Sequence, residues 1–392
     1  MDKFERRSVL SGLGQSQVGR RLGRSALDLT VEACLAAMDD AGLNRDDIDG
    51  MCAWPGDIYI SDGFSGPGVP QTQDALRLGL NWYQAGPEGP AQLGAVVNAM
   101  LAVAAGLCRH VLVYRTVTES SGQQSGTRAA TISTDTARLP SYMQWLLPFG
   151  SMSSPTWIAP WATRYMAEFG LTREQLGQIP LTGRANAALN DAAVYRSPLT
   201  MDDYLTARMI STPLCLYDCD VPVDGSTAFV VSAADTVADL KGAPLRFEAV
   251  GTAITGRPSW DQRADITTMA AADAGKHLWS RTDLTPADVN VAGLYDGFSI
   301  LTVLWLESLG FCPRGEAGAF LEGGRSIARD GTLPLNTGGG QLSAGRLHGF
   351  GHLHEVATQL RGAAGARQVR DAEVGVVGTG GGPLAGCLLL TR

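Results

Sequence analysis

The segment Leu43 to Asp49, LNRDDID, is echoed by Leu284 to Asn290, LTPADVN, and each copy follows a helical stretch and leads into an apolar, strand-like run. A second echo pairs Ala104-Ala105-Gly106, which precedes Val111-Leu112-Val113-Tyr114, with Ala363-Ala364-Gly365, which precedes Val374-Gly375-Val376-Val377. Two matches in the same order, each a helix end feeding a buried strand, indicate an internal repeat. Such a repeat narrows the fold to two similar α/β halves, each with a mostly buried sheet. The 392 residues suffice for both, and the halves are expected at 1–240 and 241–392. From about Thr116 to Cys219 the repeat has no counterpart, so this stretch is expected to be an insertion into the first half.

Local patterning agrees with this plan. The spacing predicts a helix over 27–41, with Leu29, Ala33, Ala36 and Ala37 on one face and Gly42 as its stop. Residues 92–105 are almost all apolar or small, which suits a helix buried on every side. In the insertion, 162–169 reads as a helix behind two aromatic runs. Met143, Trp145, Trp157 and Trp161 from those runs make either a small satellite core or an adaptable wall for a bulky apolar ligand.

The 39 acidic residues outnumber the 31 basic ones, for a net charge of −8, which argues against nucleic acid or an anionic membrane surface as the main partner. No window approaches the roughly 20 apolar residues of a membrane span. The N-terminal apolar run is broken by Gly12, Gln15 and Arg20 and does not read as a signal peptide. Seven scattered cysteines without metal-ligand spacing read as reduced thiols of a cytoplasmic protein. His348, His352 and Glu355 have the spacing of a helix face, but Gly349 and Gly351 oppose a helix beginning before Gly351. No metal site is therefore expected, and His348 is assigned to proton transfer or hydrogen bonding.

Two loops of the second half carry the most specific signal. Val291-Ala292-Gly293-Leu294-Tyr295-Asp296-Gly297-Phe298-Ser299, with Asn336-Thr337-Gly338-Gly339-Gly340-Gln341-Leu342-Ser343-Ala344-Gly345-Arg346-Leu347-His348-Gly349, resembles the two C-terminal active-site loops of the thiolase superfamily. Residues 210–219, ISTPLCLYDC, and 223–228, VDGSTA, are similar to the run that closes the family's insertion. The likeness is to the sterol-carrier-protein-type, lipid-transfer-protein branch, and most to the steroid side-chain-cleaving aldolases of bacterial steroid degradation. It implies a five-layer α-β-α-β-α fold of two pseudo-symmetric halves, a loop domain over the substrate tunnel, and a homodimer.

The thiolase chemistry itself is missing. Sterol-carrier-protein-type thiolases carry His-Asp-Cys-Phe where this chain has Tyr295-Asp296-Gly297-Phe298, and Gly-His-Pro where it has Gly345-Arg346-Leu347. Aligning the buried helix puts Gly89 at the nucleophile position, and the second cysteine falls near Gly378. Without a thiol no acyl-enzyme forms. Glycines 339, 340, 380 and 381 are the expected oxyanion and thioester-binding positions, because they allow close backbone approach. Tyr295 is either a structural residue at a strand end or the acid/base, with Arg346 expected to lower the phenol's pKa and His348 and Asp296 to assist.

A polarised thioester beside a phenol, without a nucleophile, suits retro-aldol cleavage through a thioester enolate. The resemblance implies a steroid β-hydroxyacyl-CoA as substrate, with a ring ketone and a short acyl-CoA such as propionyl-CoA as products. It implies no cofactor, and a small zinc-ribbon/OB-fold accessory subunit that would hold any zinc. A non-catalytic lipid carrier, and a thiolase or acyltransferase with its nucleophile elsewhere, remain the alternatives.

Overall fold

The computed structural model describes residues 3–58, 61–123, 143–256, 259 and 263–392. Among the described residues eleven strands run in chain order: β1 (Ser8–Gln15), β2 (Gly50–Ala53), β3 (Trp82–Ala85), β4 (His110–Thr118), β5 (Met209–Ser211), β6 (Leu214–Cys215), β7 (Asp224–Ala233), β8 (Leu245–Ile254), β9 (Val291–Leu294), β10 (Val374–Gly380) and β11 (Leu384–Thr391). Strands β5 and β6 form a small hairpin, and the other nine form one sheet ordered β3-β2-β4-β7-β1-β8-β11-β10-β9.

That order is nearly its own mirror image. Outward from the centre, β1 pairs antiparallel with β7, β7 antiparallel with β4, and β4 parallel with β2. On the other side, β8 pairs antiparallel with β11, β11 antiparallel with β10, and β10 parallel with β9. A parallel bridge from Ala292 to Leu335 stands where β3 stands beside β2. The halves meet where Val9 and Leu10 of β1 face Arg246 and Leu245 of β8. The echoed segments occupy matching places: 3-10 turns Arg45–Asp47 and Pro286–Asp288, each with a capping box, lead into β2 and β9.

Helices complete five layers. Gly94–Ala104 and Phe350–Leu360 lie together in the middle, in one apolar cluster with residues of β4, β7, β10 and β11. Helix Ala26–Ala41 covers the outer face of the first half, and Ala270–Trp279 with Ser299–Ser308 that of the second. Glycines let these outer helices approach: a Cβ at Gly14 would strike the Ala33 carbonyl, and one at Gly251 the Ala274 carbonyl. The same device in both halves reinforces the duplication.

The helix bounds fall close to expectation. Helix Ala26–Ala41 starts at Ser25, whose side chain accepts from the Asp28 amide, and stops at left-handed Gly42 (φ 74°). The insertion differs more, because one helix runs over Ser154–Phe169 and takes in the Trp157 to Trp161 run. Pro160 is tolerated inside it because its position is exposed, so water can satisfy the backbone carbonyl left without a donor.

Candidate active site

Three loops meet at the end of the central layer. Tyr295 follows β9, its amide donating to the Gly378 carbonyl. The segment 218–223, returning from the insertion, threads between the other two: the Asp220 amide donates to Gly297 O, the Val221 amide to Gln341 O, and the Arg346 amide to Val221 O, at 3.1, 3.0 and 2.8 Å. Residues following β4 add Glu119. Around these lies a cavity of about 320 Å³, lined in part by Glu119, Asp220, Tyr295, Arg346 and His348, with Trp54, Phe64, Trp157 and Leu301 forming apolar wall.

Its charged groups are coupled. Arg346 holds Glu119 through two bonds, Nε to Oε2 at 2.9 Å and Nη2 to Oε1 at 2.6 Å, while Nη1 reaches Asp220 Oδ1 at 3.2 Å. Burial alone would lower the Arg346 guanidinium, but Asp220 and Glu119 hold it above its ordinary value. Burial raises the Glu119 carboxyl above the usual carboxylate range, against the opposing pull of Arg346 and Arg115. Burial and then Asp220 also raise the Tyr295 phenol, and Arg346 does not reverse this. The expected lowering of the Tyr295 pKa is thus overturned: Arg346 is neutralised by two carboxylates, leaving little net field to favour a phenolate. Tyr295 is held as a neutral phenol.

Gly297 is what fits this phenol into place. A Cβ there would lie 2.7 Å from Tyr295 Cε1 and 3.5 Å from Asp220 Oδ2.

Of the other sequence candidates, His348 lines the cavity and has Arg115 Nη2 at 2.9 Å from its Nδ1. Asp296 is 2 % exposed and does not line the cavity; its carboxylate accepts from the Gln341 amide at 2.9 Å and faces His352 Nε2 at 3.0 Å. It anchors the 340–344 turn, so its expected direct role gives way to a positioning one. Gly339 and Gly340 are also absent from the cavity wall, because their missing side chains make room for Ala187 and for the Asp296 carboxylate. Gly380 and Gly381 abut Ala91 and Met269, likewise behind the wall. These four glycines thus lie outside this cavity's wall, and Gly340 lines a separate cavity with Gln341 and His352; Tyr295, Gln92, Arg346 and His348 are among the side chains that bring donors to the first.

Trp157 lines the cavity, whereas Trp145 is 71 % exposed and Trp161, at 1 %, is packed in the core. The Met143 side chain lies outside the described residues. At the start of the buried helix Ala91 takes a left-handed conformation (φ 55°, 2 % exposed), and neither it nor Gly89 carries sulfur. All seven cysteines are buried. Desolvation pushes the Cys52 and Cys108 thiols up to about 12.

Sequence reasoning missed Glu119, Asp220, Arg115, Trp54, Phe64 and Gln92. The signal open to it was charge inside apolar runs, at Arg115 and Glu119 around β4 and at Asp220 between Cys219 and Val221.

Fold and site define a thiolase-like protein whose cavity offers proton-transfer groups in place of a thiol. The thiolase C-terminal domain-like family model matches residues 252–388. A steroid side-chain-cleaving aldolase of Thermomonospora curvata is 34% identical, over 97% of each chain. A 17-hydroxy-3-oxo-4-pregnene-20-carboxyl-CoA lyase of Mycobacterium tuberculosis is 32% identical, over 97% of this chain and 98% of its own. The solved structure of an Ltp2-ChsH2(DUF35) aldolase superposes with a TM-score of 0.85 at 33% identity, over 98% of both chains. The chain belongs to the thiolase superfamily, in the branch of the steroid side-chain-cleaving aldolases.

Proposed function

We propose that this protein is a carbon-carbon lyase that cleaves a steroid β-hydroxyacyl-CoA to a ring ketone and a short acyl-CoA such as propionyl-CoA. The observation that carries the reading is the convergence of Tyr295, Asp220, Glu119, Arg346 and His348, from separate chain segments, on a cavity whose lining includes no cysteine. The substrate's β-hydroxyl gives its proton to the Asp220 carboxylate beside Tyr295. The Cα–Cβ bond then breaks, one carbon becomes the ketone, and the electron pair moves into the thioester as an enolate. Arg346 stabilises the enolate oxygen, Tyr295 protonates the α-carbon as general acid, and the proton held by Asp220 passes to the phenolate beside it, which restores both groups. Atoms and electrons balance between substrate and products, so the step as written uses no cofactor.

The finer assembly is also our proposal. The structural relative is a two-protein complex, which supports a small accessory subunit, of zinc-ribbon and OB-fold type, holding any zinc. A homodimer is supported by β3, an edge strand of the sheet, where Tyr83 is 65 % exposed. No helix among the described residues is long and apolar enough to cross a membrane. Seven buried, scattered cysteines fit a reducing cytoplasm.

The test is to co-express the chain with candidate small subunits, incubate the complex with a panel of steroid β-hydroxyacyl-CoAs, and follow products by mass spectrometry. Ketone and short acyl-CoA should appear in equal amounts. Tight binding without release from any member of the panel would favour the carrier.

A further inference from the structure

Arg115 lies at the heart of the site without touching its cavity. It is fully buried, and its guanidinium stacks 4.9 Å from the Trp54 ring centroid and 4.8 Å from that of Phe64. Nη1 donates to the Thr116 carbonyl at 2.8 Å, which fixes the plane of the group, and Nη2 reaches His348 Nδ1 at 2.9 Å. The same two rings flank His348, with centroids at 5.9 and 4.8 Å. His348 is held in a left-handed backbone conformation (φ 50°) that an unsupported histidine rarely adopts.

Guanidinium is a donor only, so the Nδ1 atom it meets must be an acceptor, which places the imidazole proton on Nε2. The Nε2 side faces Glu119, Oε2 lying 4.0 Å away. We propose that Arg115 is a positioning residue for the reaction: it holds His348 neutral in the Nε2–H tautomer, so that His348 enters the cavity as a hydrogen-bond donor and not as a base.

Charge balance supports this. Among the described residues, the groups around the imidazole include Arg115 and Glu119 from the β4 end, Arg346 from the glycine-rich loop, Asp220 from the returning segment, and the neutral phenol of Tyr295. Two cations and two carboxylates cancel, and a protonated His348 would leave an uncompensated positive charge beside Arg115 in a buried site. Burial lowers the Arg115 guanidinium to about 9, still above neutrality, so it keeps its charge and its donors. In the lyase reading, on which the role but not the tautomer rests, the Nε2–H joins Arg346 in stabilising developing negative charge on oxygen.

The first test needs no turnover. In protein labelled with ¹⁵N-histidine, with His348 assigned from the difference against His348→Asn, its ring nitrogens should report the Nε2–H tautomer without titration between about pH 5.5 and 8.5. A protonated Nδ1, or a midpoint inside that window, overturns the proposal whatever the reaction proves to be. The second test is kinetic. Arg115→Met frees Nδ1, so kcat/KM should acquire a new acid limb near the ordinary histidine value of about 6.5, and Arg115→Lys, which keeps a donor, should remove most of it. A folded Arg115→Met variant with the wild-type pH profile sinks the assignment. Failure of the lyase reading would instead appear as absence of product with the histidine spectrum unchanged.

Discussion

Tyr295 stands among charged groups, but burial first and Asp220 second hold its phenol above the ordinary value. Tyr295→Phe is therefore expected to lower kcat/KM by about 10²–10⁴-fold while the thermal midpoint stays close to wild type, since one oxygen is removed. Gly297→Ala tests the same point from below: the added methyl, 2.7 Å from the phenol ring, should depress turnover by displacing Tyr295. The acid side of the pH profile belongs to Glu119. Its carboxyl is raised above the ordinary 4.5, so as pH falls it takes up a proton early and releases its hold on Arg346. Activity should decline at a higher pH than an ordinary carboxylate would give, and Glu119→Gln should abolish that limb. Iodoacetamide should leave the native enzyme active, because every thiol is buried.

At the scale of elements, the site depends on loops that buttress one another. Asp296 accepts the Gln341 amide with both oxygens, at 2.9 and 3.0 Å, and so ties the loop after β9 to the glycine-rich turn. Asp296→Asn should cost about 1–3 kcal/mol in chemical denaturation and lower kcat without removing a cavity group. Periodicity placed the helices Ala26–Ala41 and Gly94–Ala104 of this frame, since burial on one face or all faces leaves a direct trace in residue order. The helix Ser154–Phe169 was only half legible, because an internal proline argues for a break unless the exposure of its face is known.

Across the whole molecule, the two halves are clamped by Glu5 and Arg281, joined at 2.6 and 2.8 Å. Burial would raise the Glu5 carboxyl, but its bonds to Arg281 and to backbone amides leave it below 4.5. A carboxyl depressed in the folded state contributes stability that is present above the unfolded value of 4.5 and is lost as pH falls through the folded value. Arg281→Met should destabilise the protein by about 2 kcal/mol near neutral pH, and the deficit should shrink on acidification. Urea melts of both proteins at several pH values measure this.

Residue order alone determined the duplication, the central helix and the lack of any cysteine between Cys52 and Cys108, because each is written in a contiguous run or in an absent side chain, and it pointed to Tyr295 and Arg346, which meet at the cavity. Tertiary structure decided the rest. Glu119, Asp220 and Arg115 lie far in sequence from Tyr295, and only the threading of the 218–223 segment between two loops brings them together. The glycines expected to face substrate instead make room for neighbouring chain, since a missing side chain records close approach without naming what approaches. The direction of the phenol's pKa reversed expectation for the same reason: burial, which residue order does not show, raises it first, and Arg346 reaches Tyr295 already paired with two carboxylates.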